Sequence, residues 1–281
     1  MTDYLAFDIE GVFNKKSGWE PTEKMKQTES YKNGERPFPP PAAWRIISAC
    51  SLHLKTIPGA INEWDPVFLD YGPDLSTVPT EGPDQISEEM EYHMVQRISL
   101  QMANVIANGG TIVTFNGRGY DIPLLFARCM TFGIDTSGWY TKDFRYRFSD
   151  TGHVDLLDVA TEYGAAYRNR PNLALLCRLF GLPGKVGIDG SQVEGFYKDG
   201  RYKEIRDYCM SDNMETGIVY LRWLVAKGHV TQQQYRTILF KIQDVACVED
   251  ENGEKVHPHM CKLFDMSDPN TLFLIRESAR Q

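Results

Sequence analysis

Tyr4-Leu5-Ala6-Phe7-Asp8-Ile9-Glu10-Gly11 opens the chain with an apolar run that ends in two carboxylates. The run has the character of a buried strand, and it stops abruptly in polar chemistry. On a strand, residues two apart project from the same face, so Asp8 and Glu10 can address one point in space. Two solvated acids at a surface strand end would be spelled the same way. The pair therefore needs company before it signifies a site.

That company stands further along. Thr111-Ile112-Val113-Thr114-Phe115 reads as another buried strand, followed by Asn116-Gly117-Arg118-Gly119-Tyr120-Asp121 and a helical run from Pro123 to Met130. Pro123 falls where a first helical turn tolerates proline. Asp121 is then either a helix cap or a third carboxylate beside the first two, and the two glycines let the backbone pass close to a ligand. A long helix is expected from Tyr202 to Ala226, stopped by Gly228. It carries Tyr208 and Asp212 four residues apart, hence on one face.

Around these landmarks the chain reads as α/β. Residues 14–44, with Pro39-Pro40-Pro41, form a long loop. Ile46 to Leu54 and Val67 to Tyr71 are strands of a meander, and residues 87–107 are an amphipathic helix closed by Asn108-Gly109-Gly110. Helices are expected near 155–164 and 172–180, and a hairpin-like pattern surrounds Glu251-Asn252-Gly253-Glu254. The expected layout is one domain over residues 1–228 with a C-terminal extension, 229–281, packed on it.

Composition narrows the function classes. A chain of 281 residues that is 42% hydrophobic can bury a full core. Its net charge of −8 argues against gripping long duplexes through many phosphates, yet leaves room for holding a strand end. No apolar run approaches a membrane span and the N-terminus lacks a secretory pattern, so a cytoplasmic protein is expected. Six cysteines without a C-x-x-C pair read as reduced thiols.

Other stretches offer weaker chemistry. Phe144-Arg145-Tyr146-Arg147-Phe148 would, if extended, present an aromatic face and a cationic face suited to a single strand, or else a half-buried strand with its arginines in water. Asp155, after His153, sits at an expected helix start as a cap or a second partner of the site. His257-Pro258-His259-Met260-Cys261 holds zinc-capable side chains without a matching half-site. Gly181-Leu182-Pro183-Gly184-Lys185 is too short for a Walker A phosphate loop.

Taken together, Asp8-Ile9-Glu10, Asn116 with Tyr120-Asp121, and Tyr208 with Asp212 resemble the three exonuclease motifs of the DEDD superfamily, which includes polymerase proofreading domains. With His153-Val154-Asp155-Leu156 and Gly181 to Lys185, residues 3–228 are similar, in order, to predicted stand-alone 3′-to-5′ exonucleases related to family B polymerase proofreading domains. The resemblance implies a ribonuclease H-like fold, a mixed β-sheet flanked by helices. It implies hydrolysis of single-stranded DNA from the 3′ end to 5′ mononucleotides, with RNA hydrolysis on the same scaffold as the rival and an idle binding module as a third reading. Asp8, Glu10, Asp121 and Asp212 would hold two Mg²⁺ or Mn²⁺ ions, four negative charges against four positive. Tyr208 would position the attacking water, since a phenol is a poor base at neutral pH. Gly11, Asn116, Tyr120, Arg145, Arg147, Asp155 and Lys185 are the candidate substrate contacts, and a replication or repair protein is a candidate partner. Two positions depart from the pattern: Gly11 replaces a threonine that can touch the terminal nucleotide, and Asn213 replaces an apolar residue.

Overall fold

The computed structural model describes residues 2–34, 37–59, 63–79, 85–184 and 190–275. Strand β1 (Tyr4–Phe13) runs straight out of the first apolar stretch and leads to two single-turn helices, α1 (Glu23–Lys26) and α2 (Glu29–Lys32). Threonines at 22 and 28 cap both, so the proline-rich loop is more ordered than its composition suggests. Strands β2 (Trp44–Thr56) and β3 (Trp64–Asp70) complete an antiparallel meander with β1.

Helix α3 (Glu88–Ala107) crosses to β4 (Thr111–Thr114), which pairs parallel with β1. Helices α4 (Asp121–Phe132) and α5 (Lys142–Arg145) lead to β5 (Gly152–Asp155), parallel to β4. Then follow α6 (Leu156–Ala160), α7 (Leu173–Leu179), α8 (Val193–Lys198), the long α9 (Tyr202–Ala226), α10 (Gln232–Ala246), α11 (Pro258–Asp265) and α12 (Pro269–Leu272). The sheet order is β3-β2-β1-β4-β5, a mixed sheet with helices on both faces, as expected of a ribonuclease H-like fold.

Strand alternation divides the core. Leu5, Phe7 and Ile9 point to the face covered by α3 and α4, packing with Met94, Ile98 and Leu125. Ala6 points to the opposite face, packed with Leu52, Ile218 and other residues of α9 and α10. Asp8 and Glu10 share the phase of Ala6, so they emerge on the face where α9 lies. The helix comes close because residue 217 is glycine: a Cβ there would stand 2.7 Å from Leu52 Cδ2.

Several sequence expectations are corrected. The helix near 155 is preceded by β5, too short and polar to declare itself, and its His153 is fully buried with Nε2 2.8 Å from Thr114 Oγ1. Arg145 lies in α5 and Phe144 is buried, so residues 144–148 do not form the extended two-faced segment. Beyond Gly228 helices dominate, and the hairpin-like pattern around Glu251–Glu254 is a short turn closed by one antiparallel bridge, Glu249 to Lys255, between α10 and α11. Packing of these helices brings Cys247 and Cys261 to a Cα separation of 4.8 Å as a disulfide, so the six cysteines are not all reduced; Cys50, Cys129, Cys177 and Cys209 are free and buried. No helix among the described residues is long and apolar enough to cross a membrane.

Candidate metal centre

Carboxylate oxygens of Asp8, Glu10 and Asp212 all lie within 4.8 Å of one another. Asp8 and Glu10 come from the last regular part of β1, and Asp212 from the middle of α9. Pairing of β1 with β2 shifts register between Glu10 and Gly11, so the irregularity falls just after the second acid. Asp121 stands at the first position of α4, 3% exposed, and its Oδ1 accepts the Ile9 amide at 3.1 Å. The helix cap position is Tyr120, so Asp121 is not serving as the cap. Its carboxylate ties α4 to β1 between the two acids of that strand.

The electrostatics are those of a site short of positive charge. Burial, then Asp121, Glu10 and Asp212, push the Asp8 carboxyl well above its usual range. Burial also raises Asp121, to about 7, against the lowering pull of the Ile9 amide. Asp8 Oδ2 is buried and has no hydrogen-bond partner among the described residues. A buried anionic oxygen without a donor is costly unless a cation completes it. The oxygen-only ligand set suits hard divalent ions such as Mg²⁺ or Mn²⁺.

Tyr208, one turn before Asp212, points its hydroxyl toward the same acids. Burial, then Asp212, Glu10 and Asp8, drive its pKa far up, so the phenol stays protonated and can donate a hydrogen bond at neutral pH. Asn213, at the departure noted in the sequence, is fully buried and donates its amide to the Cys209 carbonyl at 2.8 Å, one turn back within α9.

The candidate substrate contacts scatter. Gly11 and Tyr120 meet: a Cβ on Gly11 would lie 2.8 Å from the Tyr120 hydroxyl and 3.1 Å from the Arg45 carbonyl. Gly11 is therefore coupled to Tyr120, which occupies the space that a threonine side chain would need. Asn116 sits in the left-handed region with φ 64°, a turn position that asparagine tolerates, and its amide donates to Asp155 at 2.8 Å. Asp155 is 4% exposed and accepts three backbone amides, from Asn116, Arg118 and Leu157. It organises the turn and caps α6, the structural one of the two roles that the sequence allows it. Arg147 binds Asp158 at 2.5 Å, and Arg145 packs over the Tyr140 ring. Arg145 is exposed, but the two arginines do not share a cationic face on one strand. Lys185 lies outside the described residues.

The sequence reading also passed over an aromatic cleft beside the acids. Phe38 stacks on Trp44 at 4.8 Å, and both approach Tyr120 at about 6 Å. The signal was present as the aromatic and proline content of residues 13–44, which read only as a loop.

A ribonuclease H-like sheet with carboxylates at the end of β1, at the start of α4 and on α9 defines the class of acidic-centre α/β nucleases. The chain belongs, more narrowly, to the family of predicted 3′-5′ exonucleases related to the exonuclease domain of PolB, whose model matches residues 84–263. That match contains Asp121, Tyr208 and Asp212. Asp8 and Glu10 precede it, and β1 carries them into the same centre. A comparison with curated proteins finds no match.

Proposed function

We propose that the chain removes nucleotides from the 3′ end of single-stranded DNA and releases 5′ mononucleotides, using two divalent cations held by Asp8, Glu10, Asp121 and Asp212. The observation that carries this reading is the convergence of Asp8, Glu10 and Asp212 oxygens within 4.8 Å, one of the Asp8 oxygens buried and unpartnered. Such a cation pair, when bound, supplies an acidified water and stabilises the departing 3′ oxygen.

The remaining work falls to the chain itself. Asp121 holds the strand end in place through the Ile9 amide, and its second oxygen would complete the ligand set beside Asp8, Glu10 and Asp212. Tyr208, kept protonated by burial and by its acidic neighbours, hydrogen-bonds the attacking water and fixes its approach. The phenol is a positioning residue and moves no proton. A net charge of −8 fits an enzyme that holds a strand end and not a long duplex.

The test is digestion of 5′-labelled single-stranded DNA and RNA of one sequence with Mg²⁺, Mn²⁺ or EDTA, wild type beside Asp8→Ala. A ladder shortening from the 3′ end, dependent on metal and absent in the variant, is expected, with DNA the better substrate. Loss of RNA alone would transfer the reading to an exoribonuclease. Intact strands under every condition would defeat it.

A further inference from the structure

A groove of about 550 Å³ lies between α6, α7 and the last turns of α9, with Leu274 in its lining. Its walls are apolar: Leu156 and Val159 come from α6, Leu176 and the cap residue Phe180 from α7, and Trp223 from α9. At about 1.5 Å per helical residue, Trp223 stands about 16 Å along α9 from Asp212. The groove is therefore separate from the acidic centre, though both are built on one helix.

Two observations bear on what it holds. The apolar surface continues past the rim, because on a 3.6-residue period Leu175 and Leu179 stand beside Leu176 and Phe180, and they are 42% and 61% exposed. Exposed leucines that extend an apolar concavity mark an interaction surface. The second observation is a cation. Arg222 is the one charged side chain in the lining among the described residues. Its Nε donates to the Tyr235 hydroxyl at 3.0 Å, and Nη2 donates to the carbonyls of Phe180 at 3.2 Å, Leu272 at 3.0 Å and Thr271. Every acceptor is neutral, so the guanidinium is fixed in place with its charge unanswered.

The surrounding sequence has the same sign. Arg168 and Arg170 lead into Pro171, which lines the groove, and no acid occurs from Tyr163 to Ile188 in a chain of net charge −8. Of the acids that flank this region, Asp150 is paired with Lys227, and Glu162 follows α6.

We infer that the groove docks a segment of a partner protein that carries carboxylates beside bulky apolar side chains. The apolar groups seat between α7 and α9, and the carboxylates face Arg222 and the Arg168 to Arg170 rim. The chain's own last residues, Arg276 to Gln281, offer no bulky apolar side chain to seat. A nucleic-acid strand would meet an apolar floor with no row of cations along it. Docking here brings a partner to the far half of α9 and leaves the acids uncovered, and it does not rest on the exonuclease reading.

The probe is a fluorescein-labelled synthetic peptide, a run of aspartates followed by leucines and a phenylalanine, titrated with the full chain and read by anisotropy. Companion peptides carry lysines in place of the aspartates, or serines in place of the apolar residues. The acidic peptide should bind with a Kd of about 10 μM, roughly tenfold or more tighter than either companion, and weaken as salt is raised. Ala226 is exposed, lines the groove and ends α9, so Ala226→Trp fills the groove without entering the core. That variant should weaken binding roughly tenfold or more, as should Arg168→Glu with Arg170→Glu, each at an unchanged melting temperature. Binding left intact by both variants places the peptide elsewhere and overturns the inference. So do a lysine peptide or a polythymidine strand held as tightly in the same groove, a dimer in light scattering that Ala226→Trp dissociates, and no binding of the acidic peptide.

Discussion

Asp3 and Asp8 belong to the same N-terminal stretch, five residues apart, and the protein treats them in opposite ways. Asp3 accepts the Thr56 amide at 2.9 Å and hydroxyl at 2.7 Å and faces His53 Nε2 at 3.1 Å. Burial works against its charge, but the two Thr56 bonds and His53 outweigh it and lower its pKa. Asp8 receives no such donors at Oδ2 and is ringed by other acids, so its pKa is raised. A structural carboxylate is completed by the protein; a ligand carboxylate is left for something else to complete. Glu91 belongs with Asp3: it is buried, yet paired with Arg128 at 2.7 Å and with the Ile46 amide at 2.8 Å.

The contrast is broken most easily by activity. Asp8→Ala should lower 3′-end digestion by about a thousandfold or more, since on the proposed function it removes a metal ligand at the point where charge develops. Asp3→Ala should leave turnover within a small factor of wild type. Comparable losses in both variants would mean that Asp8 is only another structural acid.

Tyr208→Phe sharpens the same comparison by separating water positioning from metal binding. The kcat should fall roughly 10- to 100-fold, while Mn²⁺ affinity measured by calorimetry stays as in the wild type. Weakened Mn²⁺ binding would place the phenol in the ligand set instead.

Stability offers a test without substrate. The Asp121 carboxyl goes from an ordinary 3.8 to about 7 on folding, mainly through burial. Between those values the folded state holds a proton that the unfolded chain releases. The associated stability is thus fully present below about 3.8 and lost as pH rises through about 7. Metal-free protein should melt lower at pH 8 than at pH 5.5 because of this centre, and Mn²⁺ at a hundred times its Kd should restore about 2.7 kcal/mol at pH 8. Calorimetry of the chelated and loaded protein at both pH values checks this, and a metal effect no larger at pH 8 than at pH 5.5 would argue against the acids as its site.

Much of this was legible in the sequence because strand and helix periods place residues by rule. The i, i+2 spacing put Asp8 and Glu10 on one face, the i, i+4 spacing did the same for Tyr208 and Asp212, and the bounds of α9 followed from its pattern and from Gly228. What escaped depended on tertiary context. Strand β5 is four residues long and carries a buried histidine and an aspartate, so no period could announce it. The Cys247–Cys261 pair exists because α10 and α11 fold together, which spacing alone does not reveal. Asp155 carries the same letter as Asp8, and only its three backbone donors show that its charge is already answered. Gly11 read as a lost contact, whereas the structure ties it to the approach of Tyr120.

The smallest effect has the clearest sign. Replacing Asp8 by Asn in metal-free protein at pH 8 removes an unpartnered charge from an acidic cluster, and the melting temperature should rise by a few degrees, at roughly 2–4 °C per kcal/mol for a chain somewhat smaller than this one. Asp3→Asn does the reverse. An amide can still accept one Thr56 bond, but it loses the charge that favours all three, and stability should fall by about 1 kcal/mol. Acid separates the two, because the lowered pKa of Asp3 means that its contribution is fully present above the ordinary carboxylate value and is lost only as pH falls through the lowered one. The two variants should therefore move Tm in opposite directions at pH 8; on acidification toward pH 4 Asp8→Asn converges on the wild type, because Asp8 is then becoming protonated in both states, while Asp3→Asn keeps its deficit. Shifts of the same sign at pH 8 would show that Asp8 finds a donor in solution, and that its isolation at the end of β1 is not what prepares it for a cation.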